Sequence, residues 1–175
     1  VFSTLSVWLT KADIERSTIT LFSWVGFAYS FKFLWTPIVD HFKLPFSDDF
    51  GHRRSWLFFS QVMIIFSLIL ASFSDPNLSL FFMVISFILI AFSSATQDIV
   101  IDAFRIESVS QKLQGALSSM YLAGYRIAMI VSGAGSLWFV SIQSGETYSL
   151  DSWQFVYRVM ALFMIIGIVT TILSK

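Results

Sequence analysis

The chain has 175 residues, of which 56% are hydrophobic and 13% charged, and its formal net charge is zero. A soluble domain carries roughly 25% charged residues, so the composition points to a membrane class, and the balanced charge offers no footprint for nucleic acid. There is no cysteine, which excludes disulfides, a thiol nucleophile and a thiolate metal site.

Residues 1–9 form a short apolar piece that cannot cross a bilayer alone. It reads as the end of a helix whose start is missing. Five long apolar stretches follow, at residues 17–39, 55–73, 78–101, 117–140 and 153–173. Each is near the ~20 residues that a helix needs to cross ~30 Å of hydrocarbon. Helices of soluble domains average only ~11–12 residues. Strands do not fit, because the runs lack alternation and are too long for a barrel. The expected fold class is all-α, a polytopic transmembrane helix bundle.

The connections sort by charge. Residues 40–54, residues 103–114 and the terminal Lys175 hold Lys43, Arg53, Arg54, Arg105, Lys112 and Lys175, six basic residues. The alternate connections, 10–16, 74–77 and 141–152, hold two, Lys11 and Arg16. The positive-inside rule makes the first set cytoplasmic and puts Asp75 and Glu146 outside. Asp75-Pro76-Asn77 marks a tight exterior turn, and Gly145 a longer exterior loop. Trp8, Trp35, Trp56, Trp138 and Trp153 lie near the expected helix ends, where indole rings suit the headgroup level. Core packing is the alternative for any one of them. Gly124, Ala128, Ser132 and Ser136 recur every four residues, a small-residue face that lets another helix approach closely. That pattern predicts a helix buried within the bundle.

Four charges fall inside the apolar stretches. At 1.5 Å per residue, Lys32 lies about 12 Å, Asp98 about 9 Å and Arg126 about 18 Å from the cytoplasmic ends of their helices. A charge at the bilayer centre costs at least ~2.5–3.5 kcal/mol, so each is expected to face protein or water. Arg126 cannot be deprotonated. It reads as a fixed positive charge for an anionic substrate group, or as half of a structural ion pair. Lys32 is placed to pair with Asp98, or its stem carries the ammonium to the inner headgroups. Ser94, Asp98 and Asp102 share one helix face with Gln97 beside it, the pattern of a cavity lining. Asp98 is the candidate proton carrier, and Asp102, nearer the boundary, reads as structural. Arg158 is expected to reach outward. His41 and His52 fall in a polar loop, and neither a metal site nor a cofactor is indicated.

Asp40, then Gly51, Arg53 and Arg54 leading into the next helix, resemble the loop between helices 2 and 3 of the major facilitator superfamily. The usual pattern there is Gly-x-x-x-Asp-Arg-x-Gly-Arg-Arg/Lys. Here Thr36 stands at the first glycine position, and ten residues separate Asp40 from Gly51. A fuller resemblance is to the AmpG muropeptide permease family of that superfamily. It is carried by Val-Gly-Phe-Ala-Tyr-Ser-Phe-Lys-Phe-Leu-Trp-Thr-Pro at 25–37 and Ser-Ala-Thr-Gln-Asp-Ile-Val-Ile-Asp-Ala at 94–103. Gly124-Tyr125-Arg126 and Gly51-His52-Arg53-Arg54-Ser55-Trp56-Leu57 add to it.

The resemblance implies a twelve-helix transporter of two six-helix halves. Residues 1–175 would be the N-terminal half with its first helix truncated, and the second half would be absent from this chain. It implies a multi-pass protein of the bacterial inner (plasma) membrane that imports anhydromuropeptides (GlcNAc-anhydroMurNAc peptides) for peptidoglycan recycling, driven by protons. The implied partners are the muropeptide, protons, the lipid bilayer and the missing C-terminal half, with no nucleic acid. Lys32, Ser94, Gln97, Asp98 and Arg126 are the expected substrate or proton pathway. Asp40, Gly51, Arg53 and Arg54 are the expected cytoplasmic charge cluster, with Asp102 as a further member. The alternatives are a related acetyl-CoA-type transporter, or a non-transporting remnant or accessory membrane subunit. An enzyme is not expected, because a chain without cysteine and with two loop histidines supplies no catalytic constellation.

Overall fold

The computed structural model describes residues 2–45, 47–145 and 147–174, so Glu146 and Lys175, both used to orient the chain, lie outside the described residues. In chain order the α-helices are α1 (Phe2–Lys11), α2 (Arg16–Ser23), α3 (Val25–Ser30), α4 (Thr36–His41) and α5 (Ser47–Phe50). The long helices follow: α6 (His52–Ser72), α7 (Leu80–Ser108), α8 (Gln114–Ser144) and α9 (Leu150–Leu173). Among the described residues these four are long and apolar enough to cross a membrane, α8 together with the 3₁₀ turn Gln111–Leu113 before it. The chain is a membrane protein.

The helix ends have local causes. Gly51 precedes α6 with φ 87°, a left-handed conformation that favours glycine. Ser79 caps α7 by accepting from the Phe82 N–H at 3.3 Å, and Ser149 caps α9 by accepting from the Ser152 N–H at 3.4 Å. Between α6 and α7 the Asp75 carboxylate accepts the Asn77 N–H at 2.8 Å, which closes the turn expected at Asp75-Pro76-Asn77.

The helix expected at 17–39 is not continuous. It is broken into α2, α3, a 3₁₀ turn at Phe31–Leu34, and α4. Pro37 lies in the first turn of α4 and supplies no N–H to the preceding carbonyls, and Trp35 before it leaves helical geometry at φ −106°, ψ 0°. Composition had hidden this break, because the residues on both sides of it are apolar. At the other extreme, α7 runs past 101 to Ser108 and α8 starts at Gln114. Residues 103–108, expected in a loop, therefore extend the helix.

The core is built on α6, which packs along both α7 and α9. Gly167 of α9 sits where a Cβ would come within 3.3 Å of Gln61 Nε2 on α6. The Thr171 hydroxyl donates to Gln61 Oε1 at 3.0 Å within the same buried seam. At the opposite end of the bundle from His52, Trp8 of α1 stacks on Trp153 at 5.8 Å and lies 5.2 Å from the Tyr157 ring. Trp8 and Trp153 are fully buried. These two rings face each other across α1 and α9 and pack the core. Trp138 does stay exposed.

Side chains from the first turns of α6 clasp the end of α4. The His52 Nε2–H donates to the Val39 carbonyl at 3.0 Å, and the Trp56 indole N–H donates to the Phe42 carbonyl at 2.9 Å. One turn before Val39, the Trp35 indole N–H donates to Thr96 Oγ1 of α7 at 3.3 Å and stacks on Phe92 at 4.6 Å.

The expectation that α8 is buried is corrected. Among its described residues only Ser136 and Val140 are buried, and Met120, Ile127, Ile130 and Ile142 are open. At the Gly124 end of the small-residue ladder no helix backbone comes close, since an added Cβ would meet nothing within 4 Å. Its Ala128, Ser132 and Ser136 line a cavity instead.

The α6–α9 seam yields a stability test. Gly167→Leu should force the seam apart by overpacking, at a cost of about 1–3 kcal/mol. In a thermal unfolding assay in detergent, Tm should fall by roughly 3–10 °C, whereas Gly124→Leu, in open space, should leave it nearly unchanged.

Candidate functional site

Two polar regions stand out in an otherwise apolar molecule. The first lies at the end of the bundle where α4, α6 and α7 meet. Arg53, in the first turn of α6, forms ion pairs with Asp40 at 2.6 Å and with Glu107 at 2.8 Å. Its Nε–H also donates to Glu107, so the guanidinium fork grips that carboxylate from two sides. Gly51 gives this turn its left-handed start. Arg54 turns the other way. It donates to the Thr171 and Ile172 carbonyls at 3.3 and 2.8 Å, at the C-terminal end of α9, where a cation opposes the helix dipole. Its guanidinium also lies 4.3 Å from the centre of the Phe50 ring.

The expected membership of the cluster therefore changes. Asp40 and Arg53 meet, Arg54 serves α9, and Asp102 pairs with Arg105 at 3.3 Å one turn along its own helix. Glu107 was missed because residues 103–108 were read as loop. Once α7 is extended, Glu107 lies on a helix that packs on α6, within reach of Arg53.

The second region is a polar stripe along α7. Ser94, Asp98, Asp102 and Arg105 follow at intervals of four, four and three residues, which puts them on one helix face. All four side chains are half-buried, as is Gln97. Arg105 falls among the expected loop charges, although its three-residue spacing from Asp102 is visible in the sequence. Its Nε is buried without a hydrogen-bond partner among the described residues, and its guanidinium carbon lies 4.9 Å from the centre of the Tyr121 ring of α8. Toward the middle of the bundle, Ser94 and Gln97 line a cavity of about 520 Å³. Ala128, Ser132 and Ser136 of α8 and Met160, Phe163 and Gly167 of α9 form its other walls. Asp98 and Asp102 lie on the stripe below this cavity and do not line it.

The remaining membrane charges are placed as follows. Arg126 is exposed on α8 and forms no ion pair among the described residues. The face of α8 that carries it is not covered by any described part of the chain. Lys32 sits in the 3₁₀ turn of the broken segment, half-buried, with its ammonium 5.4 Å from the centre of the Tyr29 ring. No ion pair joins it to Asp98 among the described residues. Arg158 lies 5.5 Å from the Phe73 ring, at the outer end of α6. His41 and His52 bond to backbone carbonyls of Pro37 and Val39. Among the described residues no group of three His, Asp or Glu side chains gathers into a metal site.

Comparison with known proteins gives a family for this arrangement. The family model described as Major Facilitator Superfamily matches residues 2–174. A protein of Rickettsia conorii designated transporter AmpG 4 is 37% identical over 167 residues, covering 95% of this chain and 39% of that protein. The anhydromuropeptide permease of Escherichia coli K12 is 38% identical over 171 residues, covering 98% of this chain and 33% of the permease. The chain thus spans well under half the length of these relatives. No solved structure matches it.

The corrected charge cluster can be checked by a double-mutant cycle on stability. Arg53→Gln and Glu107→Gln should couple by about 0.5–1 kcal/mol, a modest value because the Glu107 side chain is 54% exposed. Arg53→Gln and Asp102→Asn should be additive. Coupling of the second pair and not the first would reverse the assignment.

Proposed function

The chain belongs to the Major Facilitator Superfamily, and from that premise we propose that it is the N-terminal half of a secondary transporter for anhydromuropeptides. In this reading the complete protein sits in the bacterial inner membrane and crosses it several times. It imports GlcNAc-anhydroMurNAc peptides, driven by protons, for peptidoglycan recycling, and has no enzymatic step. The observation that carries the reading is the polar stripe Ser94–Asp98–Asp102–Arg105, four half-buried polar side chains on one face of a membrane-crossing helix. Ionisable residues at such depth are costly and mark substrate or ion routes. The likeness to the permease of Escherichia coli supports the choice of substrate.

The parts have separate tasks. Transporters built of two halves bind substrate between them near the midplane. The uncovered face of α8 is the wall this chain would turn toward the second half, and Arg126 lies on it. A guanidinium there meets a peptide carboxylate with two parallel hydrogen bonds, a geometry that an ammonium does not reproduce. Asp98 is the proton carrier, since it is half-buried and lies in no ion pair among the described residues. Lys32, at the break in the second segment, adds a positive charge to the same route. The cluster of Arg53 with Asp40 and Glu107 closes the cytoplasmic end, consistent with the excess of Lys and Arg in the connections on that side.

Uptake of labelled anhydromuropeptide into cells lacking their own permease tests both assignments in the full-length protein. Arg126→Lys should lower kcat/KM by at least about tenfold, equivalent to roughly 1.4 kcal/mol of lost binding, while the protein still inserts. Asp98→Asn should abolish accumulation against a gradient and leave exchange of substrate across the membrane. Accumulation that persists in Asp98→Asn would move proton coupling to another residue.

A further inference from the structure

We propose that Tyr121 contacts the substrate directly, its ring forming a platform for the apolar face of a sugar whose hydroxyl and amide groups bind Asp98 and Asp102. The proposal rests on the transport reading and assigns a saccharide subsite within it. Two points relate α7 to α8. Near the cytoplasmic end Arg105 lies over the Tyr121 ring, and near mid-depth Ser94 and Gln97 share a cavity with Ala128 and Ser132. Between these points the two helices lack the extensive packing that joins α6 to α7 and to α9. There α7 presents Asp98 and Asp102, and α8 presents Gly124, where an added Cβ would meet nothing within 4 Å. The space beside Gly124 is therefore open, next to the helix face that carries Asp98 and Asp102.

Tyr121 stands at the edge of this space. Its ring is held in place by Arg105, which is itself fixed by its ion pair with Asp102. Its hydroxyl has no hydrogen-bond partner among the described residues, and its side chain is only half-buried. Tyr157 offers the contrast. That ring is fully buried against Trp8 and Phe87, where it only packs. Tyr125, one helical turn beyond Tyr121, is 49% exposed and extends the platform.

The chemistry of a pyranose matches this layout. One face of the ring is a patch of C–H groups that suits an aromatic surface, and the rim carries donors that suit carboxylates. An anionic peptide would be repelled by Asp98 and Asp102. It is instead drawn to Arg126, about 7.5 Å along the helix axis from Tyr121 at 1.5 Å per residue. The sugar and peptide parts of one substrate are thereby sorted to two faces of α8, about 140° apart around the helix.

The test measures uptake of the labelled anhydro-disaccharide, with and without its peptide, by the full-length protein. Tyr121→Phe keeps the ring and should hold KM within about twofold of wild type for both substrates. Tyr121→Leu should raise KM for both by about tenfold, with Vmax largely kept. An unchanged KM in Tyr121→Leu, or a loss confined to the peptide-bearing substrate or to Vmax, overturns the proposal. If the wild-type protein moves neither substrate, the transport reading itself fails and takes the subsite with it. Should Tyr121→Leu not reach the membrane, Tyr121→Cys decides. The disaccharide should slow its alkylation by a maleimide severalfold, and an absence of protection overturns the proposal.

Discussion

The close fit of α6 between α7 and α9 is the constraint on which the other placements depend. Within hydrocarbon, helices gain little from burying apolar surface against one another, so association relies on close packing and on hydrogen bonds. Gly167 supplies the first by letting Gln61 approach, and the Thr171–Gln61 bond supplies the second. Ser60, Ser67 and Ser72 on α6 return their hydroxyls to carbonyls of their own helix, so they add no unpaired donor to the seam. With α6 fixed, α1 can seal one end of the bundle through Trp8, Trp153 and Tyr157, and the ends of α4 and α9 can be gripped by His52, Arg53 and Arg54.

Most of the fold was legible in the sequence because length and apolar content decide whether a helix can cross a bilayer. Four of the five expected spans appear as single helices near their expected positions. The fifth was misread for a specific reason. Apolar content says that residues 17–39 belong in hydrocarbon, but not that Pro37 and Trp35 interrupt the hydrogen-bond ladder there. Loop boundaries were misplaced for the converse reason. Charge was taken to end α7 at residue 101, yet Asp102, Arg105 and Glu107 are compatible with helix and continue it to Ser108.

The candidate site was legible in part. The spacing of Ser94, Asp98 and Asp102 identified a polar face without any coordinates, because a four-residue repeat fixes a helix face. Tertiary partners were not legible. Nothing in the sequence separates Arg53, which turns to Asp40 and Glu107, from Arg54, which turns to the end of α9. The placement of Arg126 likewise depends on what surrounds α8. It sits on an open face of a helix that crosses the membrane, and a guanidinium on such a face requires protein or water against it. Lipid alone does not meet that requirement.

The fastening of α4 has a mechanical consequence. Trp35 is tied to α7 and Val39 to α6, and only four residues of chain separate the two ties. Wound as a helix, that interval measures about 6 Å. One short turn thus acts as a spacer of fixed length between two membrane-crossing columns. The columns can tilt together, but they cannot part at this end without first unwinding α4 or releasing a knot. The break at Phe31–Leu34 lies on the far side of the spacer. It lets α3, the portion before the break, follow α7 while α4 stays in step with α6.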